Sequence, residues 1–167
     1  MCPKNHKLIL KNKLKFSDES ISDLVTFKHI LLNYNKKYNL ISKSSENQIW
    51  DRHIIDSAQI LNHFDHNLTN KIVDFGSGAG FPGLILAIFD KKRKFHVKLY
   101  EKSVVKRNFL SSISQKLDLD ISISENVYDE KIDTDLVVCR AFKKLPEILR
   151  ISRETIKKPH KLIVMLG

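Results

Sequence analysis

The sequence predicts a doubly wound α/β domain preceded by a helical extension, and three observations predict it. Four of the five glycines, Gly76, Gly78, Gly80 and Gly83, fall inside one stretch, "KIVDFGSGAGFPG" (71–83). From residue 71 onward short apolar runs alternate with amphipathic helical patterns, the texture of a parallel sheet covered on both faces. Before residue 67 the apolar residues recur instead at three- and four-residue steps, the period of one helix face.

Taken in order, the N-terminal "MCPKNHKLILKNKLKF" carries lysines throughout and lacks a long apolar run, so no secretory signal is expected. Leu24, Phe27, Leu31, Tyr34 and Tyr38 mark a long helix with Ser17 as its N-cap. Trp50, Ile54, Ala58, Leu61 and Phe64 mark a second helix. The texture changes near Asn67–Asn70, which divides the chain into a helical extension over 1–68 and an α/β domain over 69–167. "KIVDF" reads as a strand, "FPGLILAIF" as a helix with Pro82 in its first turn, and "KFHVKLYE" as the next strand. Val105, Phe109, Ile113 and Leu117 mark the following helix, "LDISIS" and "DLVVCR" two more strands, "LPEILRISRETI" a helix and "KLIVML" a fifth strand. "LVVC" and "LIVM" are apolar on both faces, as buried parallel strands are. In such a sheet the ligand crevice lies at the carboxyl ends of the strands.

Composition narrows the function classes. A hydrophobic content of 42% over 167 residues supports one sizeable core. A net charge of +10, from 29 basic and 19 acidic residues, points to a polyanionic partner. Two cysteines, Cys2 and Cys139, make neither a disulfide framework nor a four-thiolate metal site, which fits a reducing cytoplasm. There is no H-E-x-x-H or C-x-x-C and no apolar run of membrane-spanning length, so neither a metal nor a membrane is expected.

The glycine stretch has two registers. From Gly78 it spells G-x-G-x-x-G, a dinucleotide fingerprint. From Asp74 it spells D-x-G-x-G-x-G. In a dinucleotide site the first glycine follows the strand almost directly and the pyrophosphate sits on the helix N-terminus. Here Asp74, Phe75, Gly76 and Ser77 come first, and Pro82 removes a backbone N–H inside the fingerprint. A carboxylate beside a phosphate is repulsive, whereas beside a sulfonium and an ammonium it is attractive. Asp74 and the register therefore favour S-adenosylmethionine. Glu101 closes the second strand, where an acid accepts hydrogen bonds from both ribose hydroxyls of any adenosine ligand. A nicotinamide-dependent oxidoreductase is the competing reading.

Four blocks occur in order: "YNKKYNLIS" (34–42), "DRHIIDS" (51–57), "VDFGSGAGFPG" (73–83) and "CRAF" (139–142). Together, from about residue 20 onward, they resemble the RsmG/GidB family of bacterial 16S rRNA methyltransferases. The resemblance implies a class I, Rossmann-like S-adenosylmethionine-dependent methyltransferase fold, mostly parallel, with an N-terminal helical extension. It implies methylation of N7 of a guanine in 16S rRNA of the small ribosomal subunit. Apart from the resemblance, a cytoplasmic setting and a monomeric state are expected. The class I sheet usually carries two further strands, and this sequence stops at Gly167 just after its fifth, so the last antiparallel strands are expected to be missing and an edge exposed. A non-catalytic RNA-binding module is the reading that such a loss would favour.

The resemblance also implies site residues. Asp74, Gly76, Gly78, Gly80 and Phe81 fall in the cofactor loop, Glu101 matches the acid ending the second strand, and Arg140 matches an arginine near the methyl donor. A cofactor-contacting pair after the third strand falls by spacing on Val127 and Tyr128, where Tyr128 departs from the family's acidic type. Asn39, Arg52, His53 and Asp56 are the candidates for substrate binding. Arg52 and Asp56 stand four apart, as do His53 and Ser57, so on an α-helix each pair shares a face; an ordinary surface ion pair is the plain alternative. Asn35 and Asn39 could bond a base edge or cap a helix end.

Guanine N7 carries a lone pair and no proton, so its methylation needs no general base. The protein must align donor and acceptor, exclude water and support the moving charge. Arg140 is the residue expected nearest the chemistry, on the cofactor carboxylate, guanine O6 or a phosphate. Lys91, Lys92, Arg93 and Lys94, then Lys106 and Arg107, form basic clusters open to phosphate contact.

Overall fold

The computed structural model describes residues 1–91 and 94–165. Five strands, β1 (Lys71–Phe75), β2 (His96–Tyr100), β3 (Ile121–Ser124), β4 (Leu136–Arg140) and β5 (Lys161–Met165), form one sheet in the order β3-β2-β1-β4-β5. Every pairing is parallel, with Phe75 opposite both Tyr100 and Cys139 and with Arg140 opposite Met165. The order reverses between β1 and β4, which opens a crevice above their carboxyl ends.

The helices follow from local signals. A short α1 (Lys4–Leu8) runs into a π-helical turn over Ile9–Lys13, and α2 (Asp18–Tyr38) begins where the Ser17 hydroxyl accepts from the Ser20 N–H at 3.0 Å. Leu24, Phe27 and Leu31 are fully buried along one face of α2. The helix stops at Asn39, which takes a left-handed conformation (φ 49°). After the turn α3 (Lys43–Glu46), the expected second helix is not uniform: a π turn over Ile49–Ile55 leads into α4 (Asp56–Ala58) and then a 3-10 turn over Gln59–His63. The π winding bonds residues five apart, and here both members of Ile49/Ile54 and of Trp50/Ile55 are buried. That corrects the expected face-sharing only in part: Ser57 is fully buried while His53 is half-buried, whereas Arg52 and Asp56 are both exposed on one side, though they form no ion pair among the described residues.

The glycine loop leads into α5 (Gly83–Phe89), with Pro82 just before its first helical residue. "GLILAI" is buried all round because α5 lies between the sheet and the N-terminal helices. α6 (Val104–Leu117), capped by Ser103, completes that face, and α7 (Leu145–Thr155) covers the other. Phe27 of α2 meets Phe81 of the glycine loop at 5.4 Å and Phe109 of α6 at 6.3 Å, so one apolar core joins the helical segment to the sheet. The smaller core beneath α7 holds Val73, Phe75, Val137, Cys139, Ile148 and Ile151.

β4 is buried from Leu136 to Cys139 as expected, but Leu162 to Met165 of β5 are only half-buried. Its apolar sequence is that of an inner strand, while its place among the described residues is at the sheet edge. Among the described residues no helix is long and apolar enough to cross a membrane.

Candidate active site

A cavity of about 920 Å³ opens above the β1/β4 switch point, within the size range of small-molecule sites. Its floor is the glycine loop. Gly76, Gly78 and Gly80 all have positive φ (74°, 57° and 94°), a conformation that a side chain disfavours. The three are not equivalent. A Cβ on Gly76 would stand 2.4 Å from the Phe142 ring, and one on Gly80 would stand 2.3 Å from Leu84, whereas one on Gly78 would meet nothing closer than the Gly76 carbonyl at 3.9 Å. Gly78 is therefore the point where bare backbone faces open space. Gly80 is buried and lies off the cavity wall, so its smallness serves packing on α5.

Asp74 is displaced from its expected place. It is fully buried, and its Oδ2 accepts from the Gly83 N–H at 2.9 Å. Its Oδ1 has no protein partner, and the residue does not line the cavity. Burial raises its pKa to about 7, against the opposing pull of the Gly83 hydrogen bond and the Arg140 charge. The carboxyl thus ties the strand end to the start of α5 from behind the loop. This bond also bears on the competing register: with Pro82 lacking an N–H and the Gly83 N–H taken by Asp74, two donors that a pyrophosphate would use at the helix start are missing.

Glu101, at the end of β2, faces the cavity and accepts from the Gly78 N–H and the Ser103 N–H, each at 2.8 Å. A carboxylate has about four acceptor sites, so each oxygen keeps one for a ligand hydroxyl. Arg107 braces this corner, donating to the carbonyls of Glu101 and Lys102 and to Glu125. That leaves Lys106 of the second basic cluster on the cavity rim. In the first cluster, Lys91 pairs with Asp23 of α2 at 2.6 Å, Lys94 is exposed, and Lys92 and Arg93 lie outside the described residues.

After β3, Asn126 and Val127 line the wall. Tyr128 does not: it is half exposed, and its hydroxyl bonds Glu154 of α7 at 3.2 Å. Asn39 is likewise off the cavity, taken up in ending α2. The helix-end asparagine that matters for the wall is Asn35, 2% exposed, whose Oδ1 accepts from the Ile41 N–H at 2.8 Å and whose amide donates to Glu46 at 2.5 Å. It pins the segment that contributes Leu40, Ile41, Ser42 and Ser45 to the cavity.

Arg140, His53 and Phe81 come together on one side. The Arg140 guanidinium donates to the Arg52 carbonyl at 3.0 Å and meets His53 Nδ1 at 2.8 Å. It lies 5.0 Å from the centre of the Phe81 ring, against which the His53 ring stacks at 4.8 Å. Burial and then the Arg140 and Arg52 charges lower the His53 pKa to about 4. Burial also lowers the Arg140 pKa, opposed by Asp74 and Asp56. Ala141 follows with φ 49°, an uncommon conformation for a residue with a side chain. Arg52, Asp56, Phe142 and Lys143 also line the cavity.

The cavity residues fit S-adenosylmethionine. Gly78 offers uncovered backbone, Glu101 spare carboxylate acceptors, Asn126 an amide, Val127 an apolar wall and Arg140 unused N–H donors. A five-stranded parallel sheet wrapped by helices, with this cavity at its switch point, is the fold of a class I S-adenosylmethionine-dependent methyltransferase. A methyltransferase structure from Thiobacillus denitrificans, described as SAM-dependent and in complex with S-adenosyl-L-homocysteine, shares that fold at a TM-score of 0.51 and 11% identity, over 74% of this chain and 55% of its own.

The chain belongs to the GidB family: the family model described as rRNA small subunit methyltransferase G matches residues 20–167. The Ribosomal RNA small subunit methyltransferase G of Pelagibacter ubique is 41% identical over 170 aligned positions, covering 98% of this chain and 78% of that protein. Its counterpart from Bartonella tribocorum is 34% identical, covering 87% and 70%.

Proposed function

We propose that this protein transfers the methyl group of S-adenosylmethionine to N7 of a guanine in 16S rRNA of the small ribosomal subunit, acting as a cytoplasmic monomer. The observation that carries the reading is the joining, in one cavity, of the open backbone at Gly78, the Glu101 carboxylate and the anchored Arg140 guanidinium. Family membership supports the rRNA acceptor.

Bound S-adenosylmethionine supplies an electrophilic methyl group on a sulfonium. Glu101 would take the ribose hydroxyls, Gly78 would let the ligand approach the main chain, Gly76 makes room for the Phe142 ring beside it, and Phe81 and Val127 would exclude water from the floor and wall. No residue removes a proton, because the N7 lone pair is free to attack. Arg140 directs its remaining N–H groups at an oxygen acceptor, either the cofactor carboxylate, guanine O6 or a phosphate. Arg52, Lys102, Lys106 and Lys143 stand on the cavity wall and hold phosphates beside the target base, and Asp56 contributes there as an acceptor. The guanine enters from an unpaired or extruded position, the cheaper route into a closed pocket.

The test is incubation with tritiated S-adenosylmethionine and small subunits that lack the modification, followed by mapping of the labelled base. Label at N7 of one guanine is expected. RNA binding without label transfer would support a non-catalytic RNA-binding module instead.

A further inference from the structure

We propose that His53 is a positioning residue for Arg140: a neutral imidazole, protonated on Nε2, that holds the guanidinium in place and acts on methyl transfer only through it. The inference rests on the methyltransferase reading for its effect on catalysis, and on geometry alone for the pairing.

The pairing follows from hydrogen-bond chemistry. A guanidinium nitrogen donates and never accepts. The contact between Arg140 and His53 Nδ1 at 2.8 Å therefore requires a lone pair on Nδ1 and places the ring proton on Nε2. A doubly protonated ring would have no lone pair to offer and would set a second cation against the first. The charged groups facing the ring agree: Arg140 from β4 and Arg52 from its own segment both oppose protonation. Asp56 and Asp74 act on Arg140 instead.

The clamp has three sides. The Arg52 carbonyl takes one N–H of Arg140, the His53 lone pair takes another, and the Phe81 ring supports the guanidinium face. Phe81 is itself 3% exposed and packed edge-on against Phe27 of α2. His53 and Arg140 are 87 residues apart, so the bond ties the π-wound helical segment to the end of β4 on one side of the cavity. Of the five guanidinium N–H donors, two are engaged this way, and the remaining three have no partner among the described residues. A long, rotamer-rich side chain held in this way keeps those donors in a fixed arrangement at little further entropic cost. A histidine that merely filled space would be indifferent to which of its nitrogens carried the proton.

Long-range ¹H–¹⁵N spectra of the full chain labelled in histidine test the pairing without reference to activity. The Nε2–H tautomer of His53 is expected to persist across about pH 5 to 8, and Arg140→Ala is expected to release the tautomer preference and let the ring titrate nearer its ordinary range. An Nδ1–H tautomer, or one that ignores Arg140→Ala, overturns the inference. Methyl transfer to small subunits then tests the consequence. His53→Ala should lower kcat/KM about ten- to hundredfold, and His53→Asn, which keeps an acceptor near the Nδ1 position, should recover much of it. In an Arg140→Ala background, His53→Ala should cost nothing more, whereas additive losses in variants with unchanged thermal melting would overturn the inference. Should the wild-type chain transfer no methyl group, the proposed function fails and the tautomer measurement still decides the pairing.

Discussion

Gly83 and Asp74 hold one another in place. The Gly83 N–H donates to Asp74 Oδ2 at 2.9 Å, and a Cβ on Gly83 would stand 2.7 Å from that same oxygen and 2.3 Å from Leu99. The last glycine of the motif is thus required by the acid that opens it.

Gly83→Ala should therefore act on stability. Overpacking at this buried junction is expected to cost about 1–3 kcal/mol, read from urea unfolding. Gly78→Ala should act on binding instead: its Cβ meets no close atom, so the backbone conformation alone costs about 1–2 kcal/mol. The methyl group would occupy the approach to the ligand, and calorimetry should show S-adenosylhomocysteine affinity falling more for Gly78→Ala than stability does.

Asp74 and His53 pull the pH dependence of stability in opposite directions. Asp74 is an acid whose pKa is raised on folding from 3.8 to about 7, so the folded state binds the extra proton in that window and stability falls as pH rises through it. His53 is a base whose pKa is lowered from 6.5 to about 4, so the unfolded state binds the extra proton there and stability rises with pH across that window. Asp74→Asn should unmask the rise, and His53→Asn should unmask the fall. Melting temperatures followed against pH in the three proteins check both signs, and a profile unchanged by either substitution contradicts them.

Asn35→Leu should loosen the wall of the cavity. It strands the Ile41 N–H and removes the donor to Glu46, and an unmet buried polar group costs about 1–3 kcal/mol. Unfolding in urea should show that loss, together with weaker S-adenosylhomocysteine binding, because Asn35 pins the segment that brings Leu40, Ile41, Ser42 and Ser45 to the cavity.

Tyr128→Phe should leave S-adenosylhomocysteine affinity within about twofold of wild type, as expected for a surface change, since the hydroxyl meets Glu154 outside the cavity. Val127→Asp should abolish measurable binding, because it sets a carboxylate into a buried wall. Equal effects of the two in calorimetry would contradict the placement of the wall at Asn126 and Val127.

The strands, the long helices and the glycine loop were legible in the chain because each rests on local chemistry: period-two and period-3.6 apolar patterns, Ser17 as a cap, and glycine where φ turns positive. Glu101 was legible from its place at the end of the second strand, and Arg140 only through the family resemblance of "CRAF"; both line the cavity because strand ends in a parallel sheet converge on one crevice. The helix spacing at residues 49–63 found Trp50, Ile54, Ala58 and Leu61, all of them buried, but the α-helical period does not describe a π turn that also buries Ile49 and Ile55.

What the sequence determined by itself was the fold, the ligand loop and the residue types at its rim, all of which follow from short-range patterns along the chain. Only the tertiary structure decided which way the polar side chains point. It turned Asp74 behind the loop, Tyr128 out to α7 and Asn39 into a helix end, and it brought His53 and Asn35 into service at the cavity through the bonds they make. Those choices depend on contacts between residues far apart in the chain, where no periodicity carries the information and where a single hydrogen bond to a buried partner decides which atom is free for a ligand.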